Sequence, residues 1–394
     1  MKKVYKVFGI ILLLIIGILL ICLIVLAVNS PGKLEMLKNS EGKEIVGSLV
    51  EKNFIEIGGI RQGFFIRAEN PENPVVLFLH GGPGSPELPS LIPYEVSERL
   101  EKHFTVCYWD QRGAGMSFSN SIDPATMTTA QMVEDTRQMT KYLQHRFNQE
   151  KIYLIGHSWG SYLGVKTIEK YPENYIAYIG IGQVTNQVKS EKMAYDYMLQ
   201  HATEINDKSA VKNLQKFDKN APDFPTIDYI MTVRSLLMNK YGIGSAHENP
   251  PSMVDMAKMI LLFKGYTLSE KTGYLRGMMF SLKTLWNDVI EDNLFESSVT
   301  FQVPVYITHG KYDYQVSHTL ASEWFEKIEA PQKAFYTFEK SAHGTIMEEP
   351  EKFVQIIRDI ALKSTENFTS DENGQIHIEN GQCLTNQLLS WGRK

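Results

Sequence analysis

Cysteine is scarce in this chain, three in 394 residues, and neither sign of charge dominates: 40 Lys and Arg stand against 45 Asp and Glu, a formal net charge of -5. Without a surplus of positive charge nothing tracks a nucleic-acid backbone, so nucleic acid is excluded as a partner. Cys22 lies in an apolar N-terminal run and Cys107 in "FTVCYWD"; with Cys383 they make no disulfide framework, so the fold must stand on its core. Internal repeats are lacking. Both phosphate-loop signatures are missing too: there is no G-x-x-x-x-G-K-[ST], and Gly81, Gly82 and Gly84 do not form G-x-G-x-x-G.

What the N-terminus has is apolar sequence. After Lys2, Lys3 and Lys6, residues 7–28 carry no charge and are almost all Ile, Leu and Val. About 20 such residues at 1.5 Å rise cross a hydrocarbon layer of roughly 30 Å, which predicts a transmembrane anchor. The rival is a signal peptide cut after "VLA" at Ala27, leaving a secreted protein, but its apolar region would span only about 7 to 15 residues. Ile21 before Cys22 does not suit lipid attachment. The three lysines keep the N-terminus in the cytosol and place the rest on the extracellular side of the cell membrane; Lys33 and Lys38 oppose this without reversing it.

Beyond residue 45 the rhythm changes. "EIVGSLVEKNFIEIGGIRQGFFIRA" alternates and breaks at Gly58-Gly59, the pattern of two antiparallel strands. Residues 75–79, 104–109, 152–155 and 175–181 are short continuous apolar runs, as in strands covered on both faces. Helical stretches at 89–102, 129–147 and 159–171 lie between them. This alternation predicts an α/β fold with a mostly parallel twisted sheet flanked by helices. It stops near 184 and resumes at "VPVYITHG", followed by a helix near 318–328, a strand near 334–338 and a helix near 350–363. The expected organisation is an anchor at 7–28, core at 45–183, an inserted α-helical cap at 184–300, core again at 301–363 and a polar tail at 364–394.

The chemistry is concentrated in "YLIGHSWGSYLG", where G-x-S-x-G stands between a buried strand and a helix. That context is what a nucleophile elbow requires, and it makes Ser158 the candidate nucleophile over an ordinary helix-capping serine. A serine hydroxyl needs a histidine to take its proton and an acid to orient that histidine. In such folds both follow the serine, in loops after later strands, in the order acid then histidine. Asp313 in "THGKYDYQV" and His343 in "FEKSAHGTIMEEP" fall in those loops. Among the competitors, His157 should leave the elbow in another direction, His309 ends a strand where a structural hydrogen bond is expected, and His145, His201 and His318 fit helical surfaces. Glu348 and Glu349 suit a helix N-terminus.

The loop "HGGPGSP" follows the first buried strand. With phosphate binding excluded, its backbone is suited to an oxyanion hole, one N–H from Gly82 and one from Trp159, the residue after the serine. His80, Gly81, Pro83 and Gly84 are expected to shape that loop, with Pro86.

Together "HGGPG", "DQRGAGMS", "GHSWGS" and the loops of Asp313 and His343 resemble the proline iminopeptidase family of α/β-hydrolases, serine peptidases that release an N-terminal residue. The resemblance spans about residues 50–362. It implies a triad of Ser158, Asp313 and His343, a helical cap, no cofactor or metal, and a bracing role for Asp110 and Arg112 near the pocket. Two departures stand out. His157 occupies a position where these peptidases usually carry glycine, a form frequent in esterases. No cap glutamate maps onto the family's ammonium-binding acids, and Glu191, Glu204 and Glu296 remain open candidates. The cap is rich in Met and aromatics, among them Met253, Met256, Met259 and Phe263, expected either to wall the site or to pack between cap helices.

The expected function is therefore a membrane-anchored serine hydrolase acting on small peptides. The alternatives are a carboxylesterase or lipase taking esters, lactones or acyl chains, and a non-catalytic sensor that keeps the fold. An epoxide hydrolase would need an aspartate at position 158.

Overall fold

The computed structural model describes residues 2–366. Its frame is an eight-stranded sheet of β1 (Leu49–Ile57), β2 (Ile60–Ala68), β3 (Val75–Leu79), β4 (Thr105–Trp109), β5 (Ile152–His157), β6 (Tyr175–Ile181), β7 (Val305–Gly310) and β8 (Lys333–Phe338). The spatial order is β1-β2-β4-β3-β5-β6-β7-β8. The β1–β2 hairpin turns at Gly58-Gly59, β2 runs antiparallel to β4, and every later pair is parallel.

The central strands are apolar without a break because both faces are covered. Val75, Leu77 and Leu79 point into one core with Met139, Leu143, Leu163 and Trp324. Val76 and Phe78 point into the other with Leu100, Phe353 and Ile357. The helices that cover them include α2 (Thr129–Phe147), α3 (Trp159–Lys170), α7 (His318–Lys327) and α8 (Pro350–Glu366); α1 (Lys2–Val28) precedes the sheet. Each fully buried Val, Leu or Phe contributes about 1.5–3 kcal/mol through loss of apolar contact with water.

The helix expected over 89–102 is instead three pieces, Leu88–Leu91, Ile92–Tyr94 and Val96–Glu101. Pro93 has no N–H to donate and Glu95 sits at φ 56, which breaks the helix there. At the other end α8 runs on to Glu366, so residues 364–366 are helical, while the remainder of the expected tail lies outside the described residues.

Between β6 and β7 the chain forms helices, the principal ones being α4 (Gln187–Glu204), α5 (Met253–Leu262) and α6 (Leu268–Glu291), with a π-helical turn at Ile230–Arg234. Helix α1 contains a stretch from Val7 to Val28 that is long and apolar enough to cross a membrane, and none of it is buried against the body.

Candidate active site

Ser158 stands at the junction of β5 and α3 with φ 54 and ψ -119, a left-side backbone conformation that costs energy for a non-glycine residue. Two glycines permit the turn. A side chain at Gly156 would strike the carbonyl of Gly160, and one at Gly160 would strike the carbonyl of Leu79 at the end of β3. The strand and helix can therefore approach only if both positions lack Cβ. The Ser158 N–H is held by the Ile181 carbonyl at 2.9 Å, which ties the elbow to the carboxyl end of β6.

The loops after β7 and β8 meet at the same place. His343 Nδ1 donates to Asp313 Oδ2 at 2.8 Å, and the ring packs so closely on Gly182 that a Cβ there would lie 2.9 Å from Cε1. Gly182 follows Ile181, the residue that holds Ser158, so His343 and the elbow share one strand end. His343 Nε2 is buried without a protein partner. Asp313 is fully engaged: His309 Nε2 lies 3.1 Å from Oδ2, and the Val316 N–H donates to Oδ1 at 2.9 Å. Burial opposes its charge, but the two imidazoles outweigh burial and hold its pKa far below the usual carboxylate range. Burial lowers the pKa of His343 below the ordinary histidine value, and Asp313 only partly offsets this. The environment thus favours the neutral imidazole, with Nδ1 on the carboxylate and Nε2 left without a protein partner.

His157 does not point away from this group. Its ring lies with its centroid 5.0 Å from that of His343, and its Nδ1 is 3.0 Å from Glu87 Oε1. Burial disfavours charge on His157, yet Glu87 prevails and raises its pKa. Glu87 Oε2 also accepts the Gly81 N–H at 3.2 Å, so one buried carboxylate links the elbow to the glycine loop. His309 likewise does more than end its strand, since it backs Asp313. His318, expected on a helical surface, is half-buried with Nε2 3.0 Å from Thr337 Oγ1.

The glycine loop is braced from below. His80 is kept neutral by burial, its pKa lowered to about 4; Nε2 accepts the Gln111 N–H at 3.2 Å, while Nδ1 bonds the Gly81 carbonyl at 2.8 Å. Gln111 Oε1 in turn accepts from the Trp159 indole at 2.9 Å. Gly82, at φ 113, and Pro83 line a cavity with Ser158 and Trp159. The Trp159 N–H is in the first turn of α3, where no intrahelical acceptor exists. Gly84 passes within 3.0 Å of Gly277 and Met278 backbone in α6, measured from where a Cβ would stand.

Asp110 accepts from the Met116 N–H at 2.9 Å and from the cap residue Tyr266 at 2.7 Å, and burial pushes its pKa up to about 7. Arg112 lies apart from the cavity: it pairs with Asp135 of α2 at 2.7 Å and donates to the Gly58 carbonyl at 2.8 Å, joining the β1–β2 turn to α2.

The cavity at Ser158 is about 80 Å³ and is lined on its cap side by Gln187, Ile230, Arg234, Leu282, Trp286 and Val289. Met253, Met256, Met259 and Phe263 are not among its walls, and α5, which carries the three methionines, has no buried residue. Of the three cap glutamates, Glu204 and Glu296 are exposed and outside the cavity. Glu191 is fully buried, and Arg234 binds it through Nε at 3.0 Å and a second nitrogen at 2.7 Å; Gln187 donates to it at 2.8 Å. Gln187 Nε2 and Arg234 also donate to the Gln315 carbonyl at 3.0 and 2.9 Å. This cluster escapes a sequence reading that seeks free carboxylates. Its signal is the position of Glu191 on the same helical face as Gln187, Ala194 and Met198, where a lone charge demands a partner. Gln187 Oε1, buried at the cavity, has no partner. Among the described residues no group of three or more His, Cys, Asp or Glu is placed to hold a metal ion.

Residues 74–350 match the model of the α/β hydrolase fold. The chain belongs to that family. Within it the chain is proline iminopeptidase-like. It is 33% identical over 306 residues to the probable aminopeptidase YbaC of Bacillus subtilis, covering 77% of this chain and 93% of the relative. It is 24% identical to the proline iminopeptidase of Clostridioides difficile, covering 78% and 97%. Among solved structures, proline iminopeptidase of Mycobacterium smegmatis superposes with a TM-score of 0.58 at 14% identity, covering 80% of this chain and 100% of that one, a likeness of fold.

Proposed function

We propose that this aminopeptidase-like hydrolase is a serine enzyme anchored in the membrane by α1, releasing N-terminal residues from short peptides through an acyl-enzyme on Ser158. The observation that carries the reading is the 2.8 Å Asp313–His343 pair lodged against the strand end that holds Ser158. Ser158 attacks the scissile carbonyl, His343 Nε2 takes its proton and returns it to the leaving amine, and Asp313 holds the tautomer and the imidazolium. The N–H groups of Gly82 and Trp159 receive the oxyanion, each such donor contributing about 3–4 kcal/mol to the transition state. Water then repeats the sequence on the ester and frees Ser158. A cavity of about 80 Å³ favours one small residue on the acyl side, and Gln187 Oε1 is an acceptor for its ammonium. The lysines at positions 2, 3 and 6 favour a cytosolic N-terminus with the hydrolase domain outside.

A second reading, an esterase, is favoured by one specific observation: both oxygens of Glu191 are already bound, and no carboxylate is among the residues that line the cavity. The test compares prolyl and alanyl arylamides with short-chain aryl esters on the full-length protein in detergent. The peptidase reading expects arylamide turnover; rapid ester cleavage with no arylamide cleavage assigns the site to esters.

A further inference from the structure

Helix α5 is an anomaly in a well-packed body. Eight of its ten residues, "MVDMAKMILL", are apolar; Met256, Met259 and Ile260 are half-buried, Ile260 against the core, while Met253, Val254, Ala257, Leu261 and Leu262 are exposed. Met253 is 70% exposed, Val254 61%, Leu262 47% and Leu261 39%. A water-soluble surface does not keep such a stripe bare without a use.

Its position supplies the use. Lys271 at the start of α6 donates to the Leu261 carbonyl at 2.5 Å and to the Asn29 carbonyl at 2.6 Å, so the C-terminal end of α5 and the residue after α1 are held by one ammonium. The Lys33 N–H bonds the Lys264 carbonyl at 3.1 Å, Pro31 bridges to Thr267, and Lys264 pairs with Glu35 at 2.8 Å. The chain leaving α1 is thus stapled, with no free linker, to the turn between α5 and α6. If α1 spans a bilayer, Asn29 is at the hydrocarbon boundary, and Leu261 is there with it. A helix lying in the plane of that interface sets its apolar face about 5–10 Å into the boundary between headgroups and acyl chains. The two polar positions of α5, Asp255 and Lys258, and the neighbouring Lys264 suit that zone.

We propose that α5 is a second membrane element, seated in the interfacial layer of the bilayer that α1 crosses. This rests on the membrane-anchor reading of α1. The consequence reaches the site: α6 begins six residues after α5 and carries Leu282, Trp286 and Val289 to the cavity, so the bilayer fixes the base of the helix that walls the substrate pocket.

The test uses full-length protein in vesicles of phosphatidylcholine and phosphatidylglycerol, with Cys22 and Cys383 changed to Ala and the buried Cys107 kept. Single nitroxide labels are placed through Ile16→Cys, Val254→Cys, Leu262→Cys and, on the opposite side of the sheet, Glu326→Cys. Collision with oxygen relative to a water-soluble nickel complex reads depth. The expected result is lipid-like values at 16, 254 and 262, several-fold above the aqueous value at 326, and a return of the label at 262 to water when Val254→Asp and Met259→Asp are added while the label at 16 stays in lipid. A lipid-like label at 16 with aqueous labels at 254 and 262 overturns the proposal and leaves the anchor. Aqueous labels at all four sites overturn the anchor as well. Labels at 254 and 262 shielded from both reagents, with spin–spin broadening, assign α5 to contact between copies and overturn the proposal.

Discussion

The imidazoles of His157 and His343 lie 5.0 Å apart, centroid to centroid, with their planes at 33°, and each offers Nδ1 to a buried carboxylate, Glu87 for one and Asp313 for the other. The two pairs differ in charge. Glu87 favours the protonated form of His157, whereas burial, with the nearby His157, favours the neutral form of His343. On the proposed mechanism, the general base then stands beside a second histidine that takes no proton from the serine.

The Glu87→Gln variant tests that relationship. In the native protein the acid limb of kcat/KM should fall below the ordinary histidine value of 6.5, since His343 must be neutral to accept the proton and its pKa is lowered. Replacing Glu87 removes the anion that charges His157, and with it a cation that lowers the pKa of His343, so the limb should move to higher pH. The pH profile of arylamide or ester cleavage reads this. A limb that stays in place would show that the His157–Glu87 pair only packs.

Gln187→Leu separates the substrates. If the amide oxygen receives a substrate ammonium, KM for an arylamide should rise about tenfold, the order expected for a hydrogen bond to a charged donor, with kcat little changed. KM for an aryl ester without an amine should not move. Equal effects on both substrates would remove Gln187 from amine recognition.

Arg234→Met leaves the fully buried Glu191 without its cation, and the expected loss of stability is about 3–5 kcal/mol. The double variant Arg234→Met with Glu191→Leu should recover much of it. Urea denaturation followed by circular dichroism measures both; a single variant as stable as the native protein would mean the pair is not desolvated.

The strands, the helices of the core and the elbow are legible in sequence because each is a local pattern: continuous apolar runs of four to seven residues, and G-x-S-x-G between a strand and a helix. Asp313 and His343 are legible because topology assigns their loops. The supports are not. Glu87 reaches His157 across 70 positions, and Arg234 reaches Glu191 across 43, and no periodicity announces such contacts. The cap misleads for a related reason: apolar residues at helical spacing show that a helix has a stripe to cover, but not that a second apolar face, Val254, Leu261 and Leu262 in α5, is left exposed. Pro93 and Glu95 break a helix whose composition alone reads as continuous.

Gly160→Ala should abolish the folded protein rather than its activity alone, because the added methyl meets the rigid Leu79 carbonyl of β3. Soluble yield and thermal melting check this. A folded, stable variant would require β3 and α3 to be farther apart than described.

Covalent labelling reads the acyl-enzyme role proposed for Ser158 directly. Full-length native protein and Ser158→Ala are each treated with a fluorophosphonate probe, digested and mapped by mass spectrometry, with arylamide and ester turnover measured in parallel. A single adduct on Ser158 is expected in the native protein, and neither adduct nor turnover in the variant, which should keep its melting temperature. An adduct on another serine, or turnover that survives the substitution, would contradict that role.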